Sequence, residues 1–184
     1  RSSSGADHGS GIAVDGAGCA YVIGFTNSSE VTFPVIVGPD LTYNGVRSYP
    51  DKTHVPYYDE DAFVAKINAA GTALVYCGYI GGAEYERGLG IAVDAGGNAL
   101  VSGYTWSTEA TFPVTVGPDV TYNGAKDAFV AKVNAAGTAL SYCGYVGGSG
   151  SDSASGIALD SAGNSYLVGS TESSKRRFRS SRDR

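Results

Sequence analysis

The sequence predicts an all-β fold of repeated four-stranded antiparallel units, and three observations carry that reading. One block of motifs recurs in fixed order along the 184 residues. Glycine is abundant at 27 residues and tyrosine leads the aromatics at 13, a composition suited to short strands and tight turns. Asp-x-x-Gly and Asn-x-x-Gly sequences stand between short apolar runs, where turn chemistry places them.

The repeat is read first because it decides the architecture. Gly11-Ile-Ala-Val-Asp15 returns as Gly90-Ile-Ala-Val-Asp94 and as Gly156-Ile-Ala-Leu-Asp160, at spacings of 79 and 66 residues. Each copy supplies a first strand. A turn follows at Asp15–Gly18, Asp94–Gly97 and Asp160–Gly163, where Asp favours the first position and Gly the left-handed one. The second strand is Ala20–Gly24, Ala99–Gly103 or Ser165–Gly169. A long loop repeats Thr-Phe-Pro-Val, Val-Gly-Pro-Asp and Thr-Tyr-Asn-Gly before the third strand, Ala62–Ile67 or Ala128–Val133. Asn68–Gly71 and Asn134–Gly137 turn the chain into a fourth strand, Ala73–Cys77 or Ala139–Cys143. The first loop is longer than the second by 13 residues, an insertion between Gly45 and Asp61.

Ala-Phe-Val-Ala is apolar on both faces, so its strand needs cover on both sides. A β-propeller supplies that cover, because each blade packs between two neighbours. A sandwich leaves one face wet, and the glycine and turn spacing excludes a helical solenoid.

The motifs resemble the bacterial β-propeller repeats called SBBP, and the resemblance covers residues 5–174. It is carried by the Gly-Ile-Ala-Val-Asp hairpin, Phe-Pro-Val, Thr-Tyr-Asn-Gly, Asp-Ala-Phe-Val-Ala-Lys and Tyr-x-Gly-Gly. Cys19 departs from it where Asn98 and Asn164 stand in the other hairpins, and after Ser174 the pattern fails. The resemblance implies a larger secreted or cell-surface bacterial protein and no shared reaction.

This reading divides the chain into a lead-in (1–10), a first blade (11–82, with the insertion 46–60), a second blade (83–148), a two-stranded half blade (149–174) and a basic tail (175–184) expected to be disordered. Propellers close with four to eight blades. An arc of two and a half exposes apolar blade faces, so the expectation is self-association into a ring or membership of a longer chain.

Six of the 13 basic residues lie in the tail, which leaves seven basic against seventeen acidic groups over residues 1–174. An acidic body does not suit specific nucleic-acid binding. No apolar run reaches the ~20 residues of a membrane span, and no signal peptide opens the chain. Cys19, Cys77 and Cys143 have no metal-binding spacing and read as buried apolar residues.

The loops after the second and fourth strands share one face and carry the candidate ligand residues Trp106, Tyr85, Tyr57 and Tyr58, suited to stacking on a carbohydrate or a protein, and His54, which with Asp51, Asp59 and Asp61 nearby could bind a metal or move a proton. Glu86 and Asp152 are repeated acids on that face and the candidates for glycoside or ester hydrolysis, although blades spread equivalents around a ring rather than facing them. Asp15, Asp94 and Asp160 resemble calcium ligands only superficially, lacking the ladder of an EF-hand loop. No cofactor is expected. Three readings stand: a non-catalytic binding or structural module, a hydrolase with carboxylates at the channel mouth, and a piece of a propeller with no activity of its own.

Overall fold

The computed structural model describes residues 5–45 and 59–174. Every regular element among them is a strand. The first sheet runs β1 (Asp7–Val14), β2 (Ala20–Thr26), β3 (Asp61–Ile67) and β4 (Leu74–Ile80) in that spatial order. The second runs β5 (Glu86–Val93), β6 (Ala99–Thr105), β7 (Asp127–Val133) and β8 (Leu140–Val146). A two-stranded sheet follows, β9 (Asp152–Leu159) with β10 (Ser165–Thr171). All pairs are antiparallel and consecutive. The fold is a partial β-propeller arc that does not close.

Turn chemistry fixes the hairpins. Asp94 Oδ1 accepts the amides of Gly96 at 2.9 Å and Asn98 at 3.0 Å, and Gly97 takes φ +78°, a conformation that costs a side chain dearly. Asn134 does the same for the β7–β8 turn, accepting from Thr138 N at 2.9 Å, with Gly137 at φ +77°.

The first strands start four residues earlier than the repeat motif suggests. A bulge between Gly9 and Gly11, repeated between Gly88 and Gly90, carries the ladder past a residue that breaks the alternation. These strands line the inner side of the arc at close range: a Cβ on Gly90 would stand 2.9 Å from Gly156 Cα.

One core fills the space between the two full sheets. Tyr21, Ile23, Ala62, Val64, Tyr76 and Ile80 of the first face Val101, Phe129, Ala131, Cys143 and Tyr145 of the second. On the far side of the first sheet its own long loop closes a second cluster, Phe33 and Tyr43 packing on Phe63 and Tyr79. The same loop protects the edge of β4, with Cys77 N donating to Val37 O at 2.8 Å and Tyr79 N to Asp40 O at 2.8 Å. Cys77 and Cys143 are buried as expected, and burial pushes both thiols up to about 12. Cys19 differs: it is only half-buried, because it sits in the turn rather than in a strand.

The arc ends on apolar surface. Ile12 and Val14 on β1 are 68% and 60% exposed, whereas their equivalents Ile91 and Val93 pack on the inter-sheet core. At the other end Tyr166 and Val168 are 60% and 68% exposed, against 0% for Tyr21 and Ile23.

Candidate functional site

The loops after the second and fourth strands meet at one end of the blades. Glu84 N donates to Ser107 Oγ at 2.9 Å and Ala83 N to Thr111 Oγ1 at 3.2 Å, which ties the loop after β4 to the loop after β6. Trp106 N donates to Tyr85 O at 2.9 Å, and the two rings lie edge to face with centroids 5.0 Å apart. Tyr85 is half-buried and Trp106 is 41% exposed. Tyr57, Tyr58 and His54 lie outside the described residues, with most of the insertion and the whole basic tail.

Glu86 and Asp152 stand at this end too, but as buried first residues of β5 and β9 rather than as open loop acids. Glu86 accepts the Thr105 hydroxyl at 2.5 Å and Gly82 N at 2.7 Å. Asp152 accepts Gly148 N at 2.8 Å and the Ser173 hydroxyl at 2.7 Å. Burial pushes Glu86 up to about 7, against the pull of the hydrogen bonds from Thr105, Gly82 and Ser107. Burial acts on Asp152 in the same sense, but hydrogen bonds from Thr171, Ser173 and Gly148 outweigh it and hold that carboxyl low. Asp7 opens β1 with the same partner, accepting from the Thr26 hydroxyl at 2.5 Å, but it is exposed at the end of the arc. The acid at this position therefore fastens the first strand to the second and, through Gly82 or Gly148, to the preceding blade.

Two features escaped the motif reading. Thr26, Thr105 and Thr171 each receive the amide of a serine two residues on, from Ser28, Ser107 and Ser173. The signal was present as a Thr-x-Ser at the end of every second strand. Asp61 and Asp127, which open the third strands, are also fully buried, and Oδ1 of each has no hydrogen-bond partner. A Cβ on Gly147 would meet Asp127 Oδ1 at 2.6 Å and Asp152 Oδ2 at 2.8 Å, so the two carboxyls converge at the blade junction. Burial pushes Asp61 up to about 8, and the nearby Glu86 adds to the rise.

Asp15, Asp94 and Asp160 turn their oxygens inward to their hairpins. Asp15 Oδ1 accepts from Ala17 N and Cys19 N at 2.9 Å each. Asp160 accepts from Ala162 N at 3.0 Å, Asn164 N at 2.8 Å and the Tyr166 hydroxyl at 3.1 Å. Asp94 pairs with Lys132 at 2.7 Å, and Asp15 with Lys66 at 3.7 Å. Burial alone would raise Asp94, but the Lys132 ammonium and the Asn98 side chain hold it down at about 2. Among the described residues no three His, Cys, Asp or Glu side chains are grouped to hold a metal ion. No helix among them is long and apolar enough to cross a membrane.

Sheets of this order, packed face to face with their loops gathered at one end, define a β-propeller repeat protein. The family comparison agrees: residues 144–174 match the SBBP model, described as a beta-propeller repeat, so the chain carries a repeat of that family over the end of β8, β9 and β10. At the coarse level this repeat suggests a non-catalytic structural or binding module. A search of curated proteins finds no match to the chain.

Proposed function

We propose that this chain is a non-catalytic module of a secreted or cell-surface bacterial protein, recognising a carbohydrate or protein ligand through its loop face. The observation that carries the reading is the Tyr85–Trp106 pair, a rigid, part-exposed aromatic edge held by a backbone hydrogen bond. Such an edge offers contact area at little entropic cost. The acids that hydrolysis would need are engaged in strand and blade fastening, which favours binding over turnover. Self-association accompanies this role, because the exposed Ile12 and Val14 face and the exposed Tyr166 and Val168 face correspond to surfaces that pack together inside the arc. A head-to-tail contact of that kind closes a ring when the rotation allows.

Trp106 is the sole tryptophan, so its emission reports directly on the site. Titration with soluble fragments of chitin, cellulose and peptidoglycan, and with an unstructured peptide library, should give saturable quenching for one probe class. Followed by calorimetry, Trp106→Phe should keep binding although the emission signal is gone, and Trp106→Ala should lose binding. Binding that survives Trp106→Ala unchanged would remove the loop face from the proposal.

A further inference from the structure

The half blade ends on a strand whose outer neighbour is absent from the described residues, and the two full blades show what that neighbour looks like. In each full sheet the second strand pairs along its outer edge with a third strand in the same register, Gly24 opposite Phe63 and Gly103 opposite Phe129. The aromatic ring lies over the glycine: an ideal Cβ on Gly24 would meet Phe63 Cε1 at 2.7 Å, and one on Gly103 would meet Phe129 Cε1 at 2.9 Å. A ring laid on a strand glycine restores the cover that residue lacks. Gly169 holds the same position on β10, and its nearest neighbours there are only Ser153 and Ala154 of β9.

Beside Gly169 runs a groove of about 650 Å³, bordered by Ala128 and Val146 on the second sheet and by Leu167, Val168 and Thr171 on β10. Val146 is 36% exposed there, whereas its equivalent Ile80 is fully buried in the core that Phe129 shares. Charge tells the same story. The third-strand lysine pairs with the turn aspartate in both full blades, Lys66 with Asp15 and Lys132 with Asp94. Asp160 has no ion pair among the described residues and accepts only from its own turn and Tyr166.

We propose that the outer edge of β10 is an acceptor for an extended segment of third-strand chemistry, Asp-Ala-Phe-Val-Ala-Lys followed by an apolar residue. Its phenylalanine enters the groove over Gly169 and its lysine pairs with Asp160. The ladder amides and carbonyls of β10 supply the backbone affinity, and the two side chains supply the register, as in other strand additions. The third strands of a second copy are already paired in their own sheets, so the occupant is a strand or hairpin that is free to pair. This acceptor lies at the end of the arc and is independent of ligand binding at Trp106.

The test is titration of the chain with a synthetic peptide of residues 127–146 carrying Cys143→Ser, followed by calorimetry and by amide chemical shifts. Saturable binding is expected, with shifts concentrated at Val168–Thr171. Phe129→Ala or Lys132→Ala in the peptide leaves the protein untouched and should weaken binding about tenfold, the loss typical of an anchor side chain. Asp160→Asn in the protein should cost as much as Lys132→Ala, with no further loss when the two are combined. In a second arm the same hairpin, joined to the chain by a flexible linker, should raise the melting temperature, and its Phe129→Ala form should not. Absence of binding together with absence of stabilisation would overturn the proposal. So would indifference to Phe129→Ala, or shifts that map instead to Ile12 and Val14.

Discussion

Thr105 donates its hydroxyl to Glu86 at 2.5 Å across the first rung of the β5–β6 pair, and Thr26 does the same for Asp7 in β1–β2. The hydroxyl in turn receives Ser107 N at 2.9 Å. At Glu86 the arrangement fixes a buried acid where one blade meets the next; Asp7, on the first strand of the arc, makes the same hydrogen bond while exposed.

Removing the donor leaves that acid short of a partner. Thr105→Val should destabilise the chain by about 1–3 kcal/mol, the cost of an unsatisfied buried polar group. Glu86→Gln keeps the shape and an acceptor and should cost less. Denaturant midpoints of the two variants rank the effects. Ligand binding at Trp106 should be unchanged in Glu86→Gln, and an activity lost with that variant would favour hydrolysis instead.

Stability should fall as pH rises through neutrality. Asp61 and Glu86 are raised to about 8 and about 7, from ordinary values of 3.8 and 4.5. The folded chain therefore holds protons that the unfolded chain releases, so this contribution is complete below about pH 4 and lost toward pH 8. Asp94, held at about 2, acts in the opposite sense, and its contribution is lost only below about pH 4. Melting temperatures should peak in the mildly acidic range and decline from pH 5 to 8.5. Asp61→Asn should flatten the decline, and an unaltered slope would contradict the assignment.

The turn glycines differ in what surrounds them. Gly163 has φ +85° with open space around it, whereas Gly137 has φ +77° and lies against the Tyr76 ring of the neighbouring blade. Gly163→Ala should cost about 1 kcal/mol through backbone conformation alone. Gly137→Ala adds a clash at the blade junction and should cost clearly more. Equal losses in thermal unfolding would show that the inter-blade contact contributes little.

Asp94 has its oxygens engaged by two amides, the Asn98 side chain and Lys132. Millimolar calcium should leave the melting temperature unchanged within error, and Asp94→Ala should lower stability by about 1–2 kcal/mol through the lost hydrogen bonds. A calcium-dependent rise abolished in Asp94→Ala would instead make the hairpin turn a metal site.

The hairpins were legible because their chemistry is local. Asp94 and Gly97, or Asn134 and Gly137, set each turn within four residues. Ala-Phe-Val-Ala announced strands covered on both sides, and β3 and β7 are buried along almost their whole length. The early start of β1, β5 and β9 was not legible, since Gly9, Gly88 and the bulge residue interrupt the alternation. That hid the buried position of Glu86 and Asp152, because an acid shortly after a glycine pair, Gly81-Gly82 or Gly147-Gly148, reads as a loop residue. Its threonine partner lies 19 residues away and is found only through strand register. The pairing of Tyr85 with Trp106 is non-local in the same way, and either residue alone reads only as an exposed aromatic.

The central claim is an open arc whose two ends are blade-packing surfaces. Sedimentation equilibrium over a wide concentration range tests it most directly. A mass that rises above the 18.8 kDa of one chain toward a fixed multiple, and that falls back in Val14→Lys and in Val168→Lys, is the predicted result. A single chain mass at every concentration would contradict it.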